Sequence, residues 1–133
     1  MTARYTFSPD WPRLKDRPLT YSPAVKKGNM LFLSGIAAVD PVTGKVIKGD
    51  LEAQTRMVFQ NIKDILEAAG ATLDDVVKTT DYITPAALPG YKVTADVRRE
   101  FFKDTFPAAT GVIVHSLIRP DMLIEVDAIA VLD

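Results

Sequence analysis

DLEAQTRMVFQNIKDILEAAG, residues 50–70, is the stretch in which the period of the chain changes. Leu51, Thr55, Val58, Ile62, Ile65, Leu66 and Ala69 recur at three- and four-residue spacing. Glu52, Arg56, Lys63, Asp64 and Glu67 take other positions. That spacing puts the apolar side chains on one stripe of an amphipathic α-helix of about five turns. Asp50 is a suitable N-cap, and Gly70 a suitable stop. A helix with one apolar stripe must lay it against another element, and the flanking segments read as strands.

On the N-terminal side, YSPAVKKGNMLFLSGIAAV (residues 21–39) holds two short strand-like pieces separated by the turn signal KKGN. Gly35 interrupts the second piece just before Ile36. DPVTGKVIKGD then forms a turn-rich loop. On the C-terminal side, LDDVVKTTDYIT reads as a short turn and a strand, broken by Pro85 and by LPG. A second helix is expected over 91–103, with Val93, Val97 and Phe101 on one face. Strands are expected over 112–117 and 123–131, joined by the turn IRPD. Pro9, Pro12 and Pro18 make the first 20 residues an irregular arm or a short edge strand. The order is β-β-α-β-α-β-β, with no linker, so residues 1–133 read as one α+β domain. Two helices can cover one face of a mixed sheet; the other face stays partly apolar, and self-association is the simplest way to cover it.

Composition narrows the function. The 133 residues are 47% hydrophobic and 25% charged, with 16 basic against 17 acidic side chains. Lysines are scattered, so there is no broad positive field, and nucleic acid is disfavoured as a partner. The absence of cysteine excludes thiolate nucleophiles, disulfides and cysteine-ligated metal centres. One histidine leaves little for a histidine-rich metal site, and no metal or cofactor is expected. The polar start and short apolar runs suggest neither a secretory signal nor a membrane span, which makes the cytoplasm the default location.

Few residues could carry chemistry. Glu125 stands between Ile124 and Val126 in LIEVDAIAV. It is either a solvent-facing glutamate, sharing parity with Asp127, or a partly desolvated carboxyl group suited to moving protons. Tyr21 is either a packing aromatic or a ligand contact. Ser34 and Gly35 end an apolar strand, where a missing side chain permits a bulge or close approach of a ligand to the main chain. His115 is isolated, and Ser116 beside it points to the opposite strand face. No phosphate loop and no serine–histidine–acid arrangement is present.

GNMLFLSG, DPVTGKV, NIKDILEAAG, DDVVKTTDYI, FPAATGVIV and LIEVDAIAV occur in this order, and together they resemble the RidA/YjgF/UK114 family, also called endoribonuclease L-PSP. The resemblance runs over residues 21–131. It implies a chorismate-mutase-like α+β fold, a homotrimer with a central barrel, and small-molecule clefts between subunits. It further implies cofactor-independent hydrolysis of reactive imines and enamines to 2-oxo acids and ammonia. Carried onto this chain, Tyr21, Ser34 and Gly35 match cleft positions, and Glu125 matches the acid that orients or activates water. The family's P-A-R-S-C-V motif becomes Pro107, Ala108, Ala109, Thr110, Gly111 and Val112. Ala109 thus replaces a carboxylate-binding arginine, while the main-chain amides of Thr110 and Gly111 stay available to a ligand. Arg119, in the IRPD turn, is a candidate to reach the cleft in its place. The expected function is a hydrolytic deaminase, or related hydrolase, for a small imine- or enamine-type metabolite. A noncatalytic trimer binding a small molecule or a partner protein is the second reading. An endoribonuclease is the third, with no basic groove to support it.

Overall fold

The computed structural model describes residues 3–133. Six strands form one mixed sheet in the order β1-β2-β3-β6-β4-β5. They are β1 (Arg4–Phe7), β2 (Ala24–Lys27), β3 (Met30–Ala37), β4 (Val76–Ile83), β5 (Ala108–Ile113) and β6 (Ile124–Val131). Only β4 and β5 run parallel; all other neighbours are antiparallel. The helices are α1 (Arg13–Asp16), α2 (Leu51–Ala68) and α3 (Val93–Phe102).

α2 forms where the apolar stripe places it, and both ends are chemically specified. Asp50 Oδ1 accepts from the Ala53 N–H at 2.9 Å. At the other end Gly70 has φ +75°, its N–H donates to Glu67 O, and the Ala71 N–H donates to Leu66 O. This is a Schellman stop, which requires left-handed backbone at a position where glycine has no Cβ to clash. The buried side of α2 includes Val58, Phe59, Ile62, Ile65 and Leu66, which join Leu31, Ile124, Val126, Ala128 and Ala130 in one core. The polar members of that stripe are used as fasteners. Gln54 Nε2 donates to Asp121 O at 2.9 Å, and its Oε1 accepts from the Leu123 N–H at 2.8 Å. That pair anchors the approach to β6.

Two expectations need correction, and one is sharpened. Of the two forms expected for the arm, the described residues take the short edge strand, β1, and add the single helical turn α1, with all three prolines outside both segments. The strand expected over 112–117 begins four residues earlier, at Ala108, and ends at Ile113. Every residue of β5 is exposed, so its pairing with β4 leaves no alternation of burial to read. On α3 the buried residues are Thr94, Val97 and Phe102, a face rotated from the expected one.

The sheet face away from the helices carries Met30, Phe32 and Val112, all exposed in the single chain. Among the described residues, no helix is long and apolar enough to cross a membrane.

Candidate active site

Glu125 sits in β6, a central strand, with Ala37 of β3 and Tyr82 of β4 as its lateral partners. An edge position is thereby excluded. Ile124 and Val126 on either side are fully buried in the core, while Glu125 belongs to the opposite parity and is half-buried. The register of β3 against β6 shifts between Leu33 and Ile36, so Ser34 and Gly35 form a bulge next to the carboxyl group. A Cβ on Gly35 would lie 2.9 Å from Glu125 Oε1. The glycine is therefore the space that the carboxyl group occupies.

Burial pushes the Glu125 carboxyl above the usual range for a glutamate, and the charge of Asp127 pushes it in the same direction. Asp127 is itself held by the Tyr82 hydroxyl, which donates to Oδ2 at 2.9 Å. Among the described residues, no side chain hydrogen-bonds the Glu125 carboxyl group. Glu125 is thus partly desolvated, close to a like charge and free to contact a ligand, which is the environment of a proton-transferring acid.

A cavity of about 380 Å³ opens on Glu125. Its lining includes Tyr21, Ser34, Gly35 and Arg119, so five of the sequence-derived candidates share one space. Ser34 Oγ donates to Ser22 O at 2.6 Å, and the Ser34 N–H donates to Pro23 O at 2.9 Å. These two bonds pin the segment next to Tyr21, whose side chain is 57% exposed and available to a ligand. Arg119 does reach the cavity, and its Nη1 donates to Gly44 O at 2.9 Å.

Thr110 and Gly111 do not line this cavity within one chain. They lie on β5, an edge strand separated from β6 by β4. Thr110 Oγ1 is 2.5 Å from Lys78 Nζ. A Cβ on Gly111 would come within 2.8 Å of the Tyr91 hydroxyl, which donates to Asp81 Oδ2 at 3.1 Å. Asp81 is buried and also meets Arg98 Nη1 at 3.2 Å. Burial outweighs that ion pair, and the Asp81 carboxyl is pushed up. The bare Gly111 therefore makes room for the Tyr91 hydroxyl that holds Asp81.

Among the cavity residues that sequence reasoning missed are Trp11, Arg13 and Asn61, which carry polar groups. Asn61 carried a readable signal, an amide on the apolar stripe of α2. Its Nδ2 donates to Ala37 O at 3.2 Å and Val39 O at 2.9 Å, tying the helix to the exit of β3. Trp11 and Arg13 lie in the proline-rich arm, where no periodicity points to them. Among the described residues, no group of three histidine or acidic side chains converges as a metal centre requires.

Residues 15–132 match the family model described as endoribonuclease L-PSP. A RutC family protein of Pyrococcus horikoshii is 46% identical over 110 residues, covering 83% of this chain and 85% of that protein. A 2-iminobutanoate/2-iminopropanoate deaminase of Salmonella typhimurium is 40% identical over 114 residues, covering 84% and 86% of the two chains. Among solved structures, a conserved Rid-family protein of unknown function from Yersinia pestis superposes with a TM-score of 0.87 at 33% identity. That match covers 98% of this chain and 100% of the other.

Proposed function

The chain belongs to the RidA/YjgF (endoribonuclease L-PSP) family, and from that membership we propose that it is a hydrolytic deaminase of a small imine or enamine, with Glu125 as its acid and base. The observation that carries this reading is the half-buried, unpartnered Glu125 carboxyl group facing a cavity of about 380 Å³. Relatives named as deaminases support the reaction class.

The chemistry balances on one carboxyl group. Protonated Glu125 gives its proton to the imine nitrogen, which makes the carbon strongly electrophilic. The resulting carboxylate takes a proton from water as the water oxygen bonds to that carbon, and a carbinolamine forms. The same group protonates the amine, the C–N bond breaks, and the hydroxyl proton returns to Glu125 as the carbonyl forms. The sum is imine plus water to carbonyl plus ammonia. An enamine enters the same cycle after protonation on carbon.

We further propose that the exposed apolar sheet face is covered in a homotrimer, and that the cleft lies between subunits. The placement of Thr110 and Gly111 on an edge strand, away from their own chain's Glu125, supports this assignment. Their main-chain amides would then serve a neighbouring copy's cavity.

The direct test is ammonia release from a panel of imines and enamines generated in solution. Release no faster than in buffer, for every compound, sinks the hydrolase reading; saturable binding without turnover favours the binding-protein reading instead. Gly35→Ala should lower kcat by about 10- to 100-fold, because the new methyl displaces the carboxyl group from its working position. Thermal unfolding of that variant should stay near wild type, since the contact is with the end of one side chain.

The pH profile supplies a second check. The cycle begins with protonated Glu125, so kcat/KM should fall on the alkaline side as that group ionises. Its raised pKa puts this limb above the range of an ordinary glutamate. Asp127→Asn removes one of the two causes and should move the limb to lower pH, measured with a substrate that does not itself titrate there. An unmoved limb would assign it to another group.

A further inference from the structure

Asn61 belongs to α2, lines the cavity that holds Glu125, and is 1% exposed. Its Nδ2 donates to two carbonyl oxygens, Ala37 O at 3.2 Å and Val39 O at 2.9 Å, which spends both N–H bonds of the amide. A carbonyl oxygen only accepts, so the amide sits one way round, with nitrogen toward the exit of β3 and oxygen away from it. That oxygen, Oδ1, is buried and has no hydrogen-bond partner among the described residues. Ala37, which takes one of the two N–H bonds, is also the lateral partner of Glu125 in the sheet. The fixed amide and the carboxyl group therefore share a residue of β3 as well as a cavity.

Tying α2 to β3 explains the nitrogen of this amide and leaves its oxygen unexplained. A buried acceptor with no donor is costly, and a ligand that brings an N–H removes the cost. An amide oxygen also stays an acceptor at every pH, which a carboxyl group does not. A neutral, unsubstituted imine nitrogen carries one lone pair and one N–H. Protonated Glu125 engages the lone pair, so the N–H needs an acceptor other than Glu125.

We propose that Asn61 Oδ1 is that acceptor, which makes Asn61 a specificity-determining residue that admits N–H imines and primary enamines and refuses N-alkyl imines. An N-alkyl group would set a carbon against Oδ1 and leave the oxygen without a donor, and a site built around a hydrogen bond discriminates strongly against a ligand that lacks it. Once the imine is protonated, its nitrogen has two N–H bonds, one for the Glu125 carboxylate and one for Asn61. The imine as donor rests on the hydrolase reading; an acceptor for N–H groups in this cavity does not.

The kinetic test compares kcat/KM for an N–H imine and for the N-methyl imine of the same carbonyl compound, following ammonia and methylamine release above the buffer rate. The N–H imine should be favoured about 10- to 100-fold. Both substrates meet the same sample, so the folded fraction cancels from the ratio, and a purely structural Asn61 would leave it unmoved. Asn61→Ala and Asn61→Ser should each bring the ratio close to one, whatever they do to thermal stability. A second comparison needs no turnover. Propanamide and butanone have one shape, with NH2 in the first where the second has CH3. Trp11, the one tryptophan of the chain, lines the same cavity, so its emission reports occupancy. Propanamide should bind about 10-fold more tightly than butanone, and Asn61→Ala should erase the difference. If neither variant folds, the amide-against-ketone comparison in the wild type decides. Equal binding of the two probes, equal turnover of the two imines, or a preference that survives Asn61→Ala overturns the inference. A preference for propanamide in a protein that turns over no imine leaves the acceptor standing and removes the hydrolase; imine turnover with no preference for an N–H does the reverse.

Discussion

Glu125→Gln is expected to lower kcat for imine hydrolysis by about 10²- to 10⁴-fold, the range over which a positioned acid–base group contributes. Glutamine keeps the size of the side chain and can still accept a hydrogen bond, but it can neither give up a proton to the imine nitrogen nor take one from water. The same substitution should not destabilise the protein at neutral pH. In the folded chain the Glu125 pKa is raised, first by burial and then by Asp127. Its contribution to stability is therefore complete below the pKa of the unfolded chain and is lost as pH rises through the folded value. Once pH has risen above the folded value the ionised carboxylate works against folding, and the amide removes that cost. Steady-state kinetics and thermal melts at acid and neutral pH test both halves. A variant as active as wild type excludes Glu125 from the chemistry. A variant inactive only because it is unfolded would contradict the stability half, and would show as a lower melting temperature at neutral pH.

Phe59→Ala should cost about 3–5 kcal/mol, the range for removing a buried aromatic ring. Phe59 is 1% exposed, with its ring 5.7 Å from both Phe101 and Phe102, tilted against the first and edge-on to the second. It is the joint between α2 and α3, and alanine leaves a hole that neighbours on two helices and a sheet cannot all move to fill. Such a loss is a large share of the ~5–15 kcal/mol by which domains of this kind are stable. Urea unfolding at one fixed protein concentration measures it, the fixed concentration being necessary if subunits associate. Phe59→Leu should cost clearly less because more of the volume remains. Phe59 does not line the Glu125 cavity, so the folded fraction of either variant should turn over normally. A cost below about 1 kcal/mol for the alanine would mean that the joint is made elsewhere.

Legibility differed by element for physical reasons. α2 was readable because one side of it is buried and the other solvated, and a 3.6-residue period leaves that division in the sequence. β5 was read four residues late because all of it is exposed, and main-chain pairing with β4 asks nothing particular of the side chains. Glu125 was visible as a charge in an apolar run, but its parity with Asp127 fitted solvent as well as a cleft. The cavity that Glu125 shares with Tyr21, Ser34 and Gly35 decided between them. Arg13 was invisible because a one-turn helix among prolines has no period to read.

By itself the sequence determined the order of strands and main helices from β2 onward, the caps of α2, the family and the short set of polar residues with chemistry to offer. These are properties of local spacing, and burial writes them into the chain residue by residue. Only the tertiary structure decided that Gly35 is room for the Glu125 carboxyl group, that Thr110 and Gly111 lie outside their own chain's cavity, and that Arg13 and Arg119 line one cavity with Glu125. Each of those facts joins residues far apart in the chain. They depend on which strand edges pair and where the arm packs, and no local period records that.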